Sequence, residues 1–250
     1  MGLFFYIVSI SSFKKKMIKT KVDLKKFSKI VFFTGAGMSA ESGIPTYRGK
    51  GGVWDEYKWE DYACQYAFKN NPEKVLDFHE KRRKESLKSK PHIGHNIITD
   101  IQKRKRETWI ITQNIDGIHQ RAGANRICEL HGSLWRLRCE SEQKLFFDNK
   151  DAVYQARKCS CGLWLRPDII WFQDELNKKV VLSAVDIISQ CELFISVGTS
   201  GKVWPAAGYP KLAKSNGAYC IEINTEETSI SHIYDQFIKK RASQGLVDLF

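Results

Sequence analysis

The stretch Lys29–Ala40, KIVFFTGAGMSA, decides the fold class of this chain. Its first part, Lys29–Phe33, is a short apolar run without a helical period, which is typical of a buried strand in a parallel sheet. The second part has the pattern G-x-G-x-x-A. Glycine there lets the backbone turn tightly and approach a pyrophosphate, and the N-terminus of a following helix offers free N–H groups. The stretch predicts a strand–turn–helix unit suited to a dinucleotide, although a tight turn without a ligand fits the same letters.

Three more short apolar runs are each followed at once by polar residues or glycine. They are Thr108–Thr112 before QNIDG, Glu192–Val197 before GTS, and Ala218–Ile223 before NTE. Charged stretches with helix-compatible patterns, such as Pro72–Leu87 and Val180–Gln190, lie between them. Strands that alternate with helices predict an α/β fold with a Rossmann-like, doubly wound parallel sheet, whose ligand lies beyond the carboxyl ends of the strands.

Two stretches do not follow this alternation, and they predict a second, smaller domain. We predict a large domain from 21–49, 92–133 and 168–250, and a smaller inserted helical or zinc-ribbon-like domain from 50–91 and 134–167. Residues 1–20 are predicted to be an N-terminal extension outside the fold. Their apolar run is too short to span a bilayer and precedes its lysines instead of following them, so it predicts neither a transmembrane segment nor a secretory signal.

The composition limits the classes of partner. The 250 residues carry a formal net charge of +12, which favours acidic partners. No nucleic-acid module is recognisable, so a solvated basic surface is the simpler interpretation and we expect no specific nucleic-acid partner. The seven cysteines are scattered except for one C-x-C pair. That pattern indicates reduced thiols with room for one metal site, and hence a cytoplasmic protein. No feature of the sequence predicts an oligomeric state.

Five blocks in fixed order strongly resemble the sirtuin family of NAD-consuming protein lysine deacylases, over about residues 25–245. The blocks are GAGMSAESGIPTYR (35–48), TQNID (112–116), LHGS (130–133), VGTS (197–200) and INTE (223–226). Any one block alone is a weak signal, since N-x-D-G also suits an ordinary turn and a lone histidine is usually structural. A dehydrogenase would show a second strand ending in an acidic residue after the glycine-rich turn, whereas this chain continues into the polar loop Glu41–Gly49.

The resemblance implies that NAD binds in a pocket between the two domains. The cofactor residues that it assigns are Gly35, Ala36, Gly37 and Arg48 near the phosphates, Ala40 in the same block, Tyr47 (usually Phe in the family) over the nicotinamide ribose, Gln113 on that ribose, Asn114 and Asp116 on the nicotinamide side, Gly198, Thr199, Ser200 and Asn224 on the adenosine half, and Ala242 near the adenine.

The resemblance also implies the reaction. Asn114 and His131 are the expected catalytic residues, with His131 as general base towards a ribose hydroxyl, because an imidazole titrates near the operating pH. The products would be free lysine, nicotinamide and O-acyl-ADP-ribose. ADP-ribosyl transfer or NAD hydrolysis on the same fold is an alternative, and a catalytically silent NAD-binding module is another. The presence of His131, Asn114 and Asp116 together argues against a silent module.

Residues 51–98 give partial information on the acyl specificity. They most resemble the class III sirtuins, which remove succinyl, malonyl or glutaryl groups. Those enzymes carry Y-x-x-R and a pocket-widening alanine. The substrate-binding residues implied here are Ala63, His79, Arg82, Trp171 and Phe172, with His79 at the tyrosine position. Arg82 would pair with a distal carboxylate, and His79 could donate a hydrogen bond, more strongly when protonated. The alternative is that Arg82 belongs to a solvated helix face. The expected partners are acyl-lysine proteins.

The zinc site usual in sirtuins departs most from the family pattern. Sirtuins bind structural zinc through two C-x-x-C pairs, whereas the candidates here are only Cys139, Cys159 and Cys161, and Glu142 stands where a cysteine is expected. Tetrahedral structural zinc wants four ligands. We therefore expect little or no tightly bound zinc, with retention through Glu142 or a histidine as the alternative.

Overall fold

A parallel sheet forms the centre of the computed structural model, which describes residues 21–49 and 51–250. The predicted extension at 1–20 lies outside the described residues. The strands of this sheet are β1 (Ile30–Thr34), β2 (Thr108–Thr112), β3 (Ile127–Glu129), β7 (Leu193–Val197), β8 (Tyr219–Asn224) and β9 (Gln236–Lys239). A second, antiparallel sheet consists of β4 (Gly132–Cys139), β5 (Lys144–Phe147) and β6 (Arg166–Ile169). The orders are β3-β2-β1-β7-β8-β9 and β5-β4-β6.

The helices of the described part are short, apart from three. Their bounds are α1 (Ala36–Ala40), α2 (Val53–Glu56), α3 (Trp59–Tyr62), α4 (Gln65–Asn70), α5 (Pro72–Lys88), α6 (Ile93–Arg104), α7 (Ile118–Arg121), α8 (Lys178–Ser189), α9 (Tyr209–Ser215) and α10 (Ala242–Leu249), with 3-10 turns at Leu24–Lys26, Ala206–Gly208 and Ser231–Ile233. Helix α5 begins at Pro72 because the Asn71 side chain accepts the Lys74 N–H at 3.0 Å. No helix in the described ranges is long and apolar enough to cross a membrane.

The register of β1 positions the site. Thr34 at its end pairs with Thr112 of β2 on one side and with Val197 of β7 on the other. The polar blocks that follow these three strands therefore begin at one level, along one edge of the sheet. The strand order reverses at β1, and such a switch point leaves a crevice in which an open α/β sheet binds its ligand.

Helices cover both faces of this sheet, as a doubly wound fold requires. Alternate residues of a strand point to opposite faces, so Phe32 packs with Leu246 of α10 on one face while Phe33 packs with Ile188 of α8 on the other. The predicted Rossmann-like sheet is confirmed.

The inserted module has its own core. Val75 and Leu76 of α5 pack against Leu137 of β4. Arg83, which is completely buried, pairs with Asp148 at 2.8 Å and donates to the Leu134 carbonyl at 3.1 Å, so it ties α5 to the antiparallel sheet. A smaller module beside the main sheet is therefore present, while its boundaries at 50–91 and 134–167 stay a prediction.

Candidate active site

A cleft of about 990 Å³ opens beyond the carboxyl ends of β1, β2 and β7, between the main sheet and the inserted module. Its volume suits a dinucleotide together with a second substrate. It brings together most of the residues assigned from the sequence, namely Gly35, Ala36, Gly37, Tyr47, Arg48, Ala63, His79, Arg82, Gln113, Asn114, His131, Trp171, Phe172, Gly198, Thr199, Ser200 and Asn224. Asp116 lies on a smaller pocket that shares Tyr47 and Arg82 with the cleft.

Two assigned residues lie away from this wall. Ala40 is exposed at the last position of α1, where the helix has already carried the chain past the glycine turn. Ala242 is buried at the start of α10, within the core on one face of the sheet. The described lining of the cleft includes neither residue.

Close packing of two turns forms the base of the cleft. The Gly37 N–H donates to the Gly198 carbonyl at 2.9 Å. A Cβ atom at Gly37 would lie 2.7 Å from the Gly198 Cα atom, and Gly198 has φ +61°. Neither position has room for a side chain, and Gly198 also needs the left-handed conformation that glycine adopts without strain. The turn after β1 and the turn after β7 can therefore meet at the switch point, beside the N-terminus of α1.

The amide of Asn114 is held in one orientation. Its Nδ2 atom donates to the Gly35 carbonyl at 2.9 Å and to the Ser39 hydroxyl at 3.1 Å. Because both amide N–H groups are used, Asn114 presents its carbonyl oxygen to a ligand. Ser39 in turn donates to Asp116 at 2.7 Å. Ser39 was not assigned from the sequence, although it stands within the GAGMSA block that pointed to the site.

Asp116 is a buried carboxyl next to this amide. Burial raises its pKa, and the hydrogen bonds from the Ile118 N–H and the Ser39 hydroxyl oppose that rise. Its Oδ1 atom accepts the Ile118 N–H at 2.8 Å. The side chain is thus held by the backbone that starts α7 and closes the floor of the smaller pocket.

His131 has a defined tautomer. Its Nδ1 atom lies 3.0 Å from the Gln113 carbonyl oxygen. A carbonyl only accepts, so Nδ1 carries the proton and the neutral ring keeps a lone pair on Nε2. Burial lowers the pKa of His131, the Gln113 contact opposes this, and the charge of Arg48 lowers it further. At neutral pH the ring is therefore an unprotonated base at the edge of the cleft.

The residue after His131 explains how the base is held. Gly132 has φ +77°, and a Cβ atom there would lie 2.0 Å from the Asp168 carbonyl oxygen. The His131 carbonyl accepts the Ile170 N–H at 3.0 Å. Glycine therefore allows β4 to approach β6, and this approach anchors His131 between the main sheet and the inserted module.

Comparisons with known proteins agree with this geometry. The family model described as "Sir2 family" matches residues 35–205. The chain is 43% identical over 223 residues to an NAD-dependent protein deacylase of Aquifex aeolicus, covering 88% of this chain and 93% of that protein. It is 42% identical to NAD-dependent protein deacylase 2 of Pyrobaculum aerophilum, covering 86% and 87%.

Solved structures give the same result. A Sir2 homologue mutant in complex with ADP-ribose superimposes with a TM-score of 0.85 at 35% identity, covering 93% of both chains. A Sir2 homologue in complex with NAD has a TM-score of 0.82 at 36% identity, covering 89% of this chain and 88% of that one. The chain belongs to the Sir2 family.

In this Sir2 protein Ala63, Trp171 and Phe172 line one part of the cleft, here named the acyl channel. The Phe172 N–H donates to the Ala63 carbonyl at 3.0 Å, which holds the chain after β6 against α3. The Phe172 ring packs on Trp59 at 4.5 Å and on Trp54 at 5.6 Å between ring centres. Trp54 was not assigned from the sequence, because α2 becomes part of the cleft wall only through this aromatic packing.

Both ring nitrogens of His79 are engaged in hydrogen bonds within the protein. Its Nδ1 atom contacts the Val75 carbonyl at 2.8 Å, and its Nε2 atom receives the Trp171 indole N–H at 3.3 Å. Burial lowers its pKa to about 4. A neutral ring with both nitrogens engaged has no donor left in this arrangement, so the structure gives no support to the predicted contact between His79 and an acyl carboxylate.

Arg82 is turned towards the cleft, away from solvent. In the charged run at 81–84, Lys81 and Lys84 are exposed, whereas the Arg82 side chain is only 10% exposed. Its Nη1 atom contacts Glu85 at 2.5 Å. Its Nε atom is buried and has no hydrogen-bond partner within residues 21–49 and 51–250. The alternative of a solvated helix face does not describe this arginine.

The three candidate metal ligands of this Sir2 chain do come together. The Sγ atoms of Cys139, Cys159 and Cys161 all lie within 4.8 Å of one another, at the end of the β4–β5 hairpin. Thiolates suit zinc, and these offer three of the four ligands of a tetrahedral site. The Glu142 N–H donates to Cys139 at 3.4 Å, while the Glu142 carboxylate contacts Lys144 at 2.7 Å. A fourth ligand would have to come from Glu142 or from water.

Proposed function

We propose that this protein is an NAD-dependent protein-lysine deacylase that releases nicotinamide and O-acyl-ADP-ribose. The observation that carries the proposal is His131, a neutral imidazole whose Nδ1 proton is committed to Gln113 and whose Nε2 lone pair is available at the cleft. The deacylase names of the relatives support the same activity.

The cofactor half of the cleft suits NAD, which is the second substrate. The glycine turn at the start of α1 and the exposed Arg48 would lie along the pyrophosphate. The turn after β7 and Asn224, whose amide donates to the Thr199 carbonyl at 2.8 Å, would take the adenosine half. The Asn114 carbonyl oxygen and Asp116 would face the nicotinamide.

The reaction follows from where these groups lie. An acyl-lysine that enters past Phe172 would present its acyl oxygen to the ribose carbon that bears nicotinamide, and nicotinamide would leave. His131 would then take a proton from a ribose hydroxyl, which attacks the acyl carbon. Addition of water and cleavage of the bond to the lysine nitrogen would then release free lysine and leave the acyl group on the ribose oxygen. A neutral imidazole is the form needed for this step, and the lowered pKa of His131 supplies it.

The acyl group that the channel favours is acidic. Its walls are mostly apolar, and the buried guanidinium of Arg82 lines the same cleft with an unpartnered Nε. A charged donor in apolar surroundings favours a carboxylate. Succinyl-lysine and malonyl-lysine proteins are therefore the proposed substrates besides acetyl-lysine proteins. The cysteines of the described residues are all free thiols, in keeping with a cytoplasmic site of action.

Nicotinamide release tests the function and separates it from the alternatives. Purified protein would be mixed with NAD alone, and with NAD plus acetyl-, succinyl- or malonyl-lysine peptides of one sequence. Release only with peptide means a deacylase, release without peptide means an NAD hydrolase, and no release means a binding module. His232, which is exposed, provides the matched control, because His232→Ala should release nicotinamide like the wild type.

A further inference from the structure

A carboxylate bound beside Arg82 would have more acceptor sites than one edge of the guanidinium can fill. A buried carboxylate has two oxygens with about four acceptor sites, and leaving them unpaired is costly. The Nε atom of Arg82 is enclosed and has no hydrogen-bond partner within residues 21–49 and 51–250. His79 can offer nothing, because both of its nitrogens are engaged, and the Trp171 indole N–H is used on His79.

The Tyr47 side chain lies beside Arg82 and carries a hydroxyl that can donate a hydrogen bond. Its ring centre lies 6.0 Å from the guanidinium carbon of Arg82, and both residues line the cleft as well as the smaller pocket beside it. The ring packs on Trp54 at 5.8 Å, and the Tyr47 carbonyl accepts the Trp54 N–H at 3.1 Å. The aromatic wall of the acyl channel therefore holds Tyr47 in place.

The Tyr47 hydroxyl is a protonated and available donor. Burial raises the pKa of this phenol, and the charge of Arg82 opposes the rise. The hydroxyl interacts with Arg82, and because a guanidinium only donates hydrogen bonds, the Tyr47 O–H proton stays available for a ligand. Compared with a phenylalanine, a tyrosine at this position adds only this hydroxyl.

We propose that Tyr47 is a specificity-determining residue, whose hydroxyl joins Arg82 in binding the distal carboxylate of an acidic acyl group. Position 79, where the resemblance expects a tyrosine, is a histidine in this chain. Tyr47, in the loop Glu41–Gly49, would supply the phenol hydroxyl instead. Glu85 contacts Nη1 of Arg82, and a carboxylate bound between Tyr47 and Arg82 would give the enclosed Nε atom the acceptor that it lacks. This inference rests on the proposed deacylase function for the identity of the ligand.

Binding and turnover of matched peptides test the inference. The affinities of a succinyl-lysine and an acetyl-lysine peptide of one sequence would be measured by calorimetry, together with kcat/KM at saturating NAD. Tyr47→Phe keeps the ring, and any effect on the cofactor is common to both peptides and cancels in their ratio. We expect the succinyl-to-acetyl ratio to fall about tenfold in both measurements. A ratio within twofold of the wild type would overturn the inference.

Two more variants separate this role from a structural one. Tyr57→Phe is the matched control, because the Tyr57 hydroxyl contacts Lys81 instead of Arg82, and it should leave the ratio unchanged. In an Arg82→Met background, Tyr47→Phe should change the ratio no further if the two donors act on one carboxylate. A further decrease of the succinyl-to-acetyl ratio, as large as in the wild-type background, would show that Tyr47 does not act on the carboxylate that Arg82 binds. Binding that discriminates without any turnover would refute the deacylase function but keep the inference, whereas equal binding of both peptides would refute the inference alone.

Discussion

The Nδ1 atom of His131 lies 3.0 Å from the backbone carbonyl oxygen of Gln113. This contact joins the end of β2 to the start of β4, and it determines which nitrogen of the neutral imidazole keeps its lone pair. Because the acceptor is the backbone oxygen of Gln113, the Gln113 side chain remains available for other contacts while its carbonyl orients His131.

His131→Ala should abolish deacylation and leave NAD affinity within several-fold of the wild type. In the proposed mechanism the imidazole accepts a ribose proton, whereas the glycine turns at Gly37 and Gly198, which are proposed to hold the cofactor, do not depend on it. Single-turnover assays with acetyl-lysine peptide and NAD titration by calorimetry would measure the two effects. Turnover within tenfold of the wild type would remove His131 from the mechanism.

Arg82→Met should lower desuccinylation about 10-fold to 100-fold more than deacetylation, because a hydrogen bond to a charged group contributes roughly 1.5–3 kcal/mol. Acetyl-lysine has no carboxylate to lose. Lys84→Met, at an exposed position of the same helix, is the matched control and should change neither activity. Equal losses with both peptides in Arg82→Met would mean that Arg82 supports the fold of the channel.

The preference for succinyl-lysine should not weaken between pH 6 and pH 8. Protonation of His79 would have predicted such a loss, but its pKa of about 4 keeps the ring neutral throughout this range. Ratios of kcat/KM for the two peptides, measured at half-unit intervals of pH, check this. A steady fall of the ratio through the ordinary histidine range would mean that His79 titrates in contact with the ligand.

Three buried histidines should make the protein unstable in mild acid. Burial lowers the pKa of His79 to about 4, of His95 to about 2 and of His119 to about 3. An unfolded histidine titrates near 6.5, so below that pH the unfolded chain binds more protons than the folded one. The free energy of unfolding should decrease as the pH falls below about 6.5, approaching about 1.4 kcal/mol per pH unit for each histidine.

Urea unfolding at pH 7.5, 6.5, 5.5 and 5.0 would measure this dependence. His119→Gln should reduce the slope below pH 6.5, because one buried neutral imidazole is removed. His232→Gln should leave the slope as it is, because His232 is exposed in the folded chain. An unchanged slope in His119→Gln would show that His119 is protonated, or accessible, in the folded state.

The cysteine cluster should bind zinc only weakly. Cys139, Cys159 and Cys161 supply three thiols, and Glu142 is paired with Lys144 where a fourth thiol would be needed. After dialysis against a chelator, elemental analysis should find little zinc in the wild type and about one zinc per chain in Glu142→Cys. A wild type that keeps close to one zinc per chain would show that a carboxylate or water completes the site.

The sequence by itself determined the class of fold and most of the cleft wall. Four of the parallel strands were predicted to within a residue or so, because a buried strand needs an unbroken apolar run that can be read locally. Strands β3 and β9 were not, since runs of three and four residues do not stand out. The glycine turns could also be predicted, because a close approach of two backbone segments requires glycine at fixed positions. The Sir2 family was predicted from these blocks, and the comparisons confirm it.

Only the tertiary structure decided how the side chains are used. Nothing local to His79 shows that Val75 and Trp171 occupy its two nitrogens, and nothing local to Arg82 shows that it turns inward beside Tyr47. The physical reason is that a protonation state or a free donor depends on which distant groups share its enclosure. A hydrophobic pattern can be recognised from neighbouring residues in the sequence. Desolvation and hydrogen-bond pairing depend on contacts between segments that are far apart in sequence.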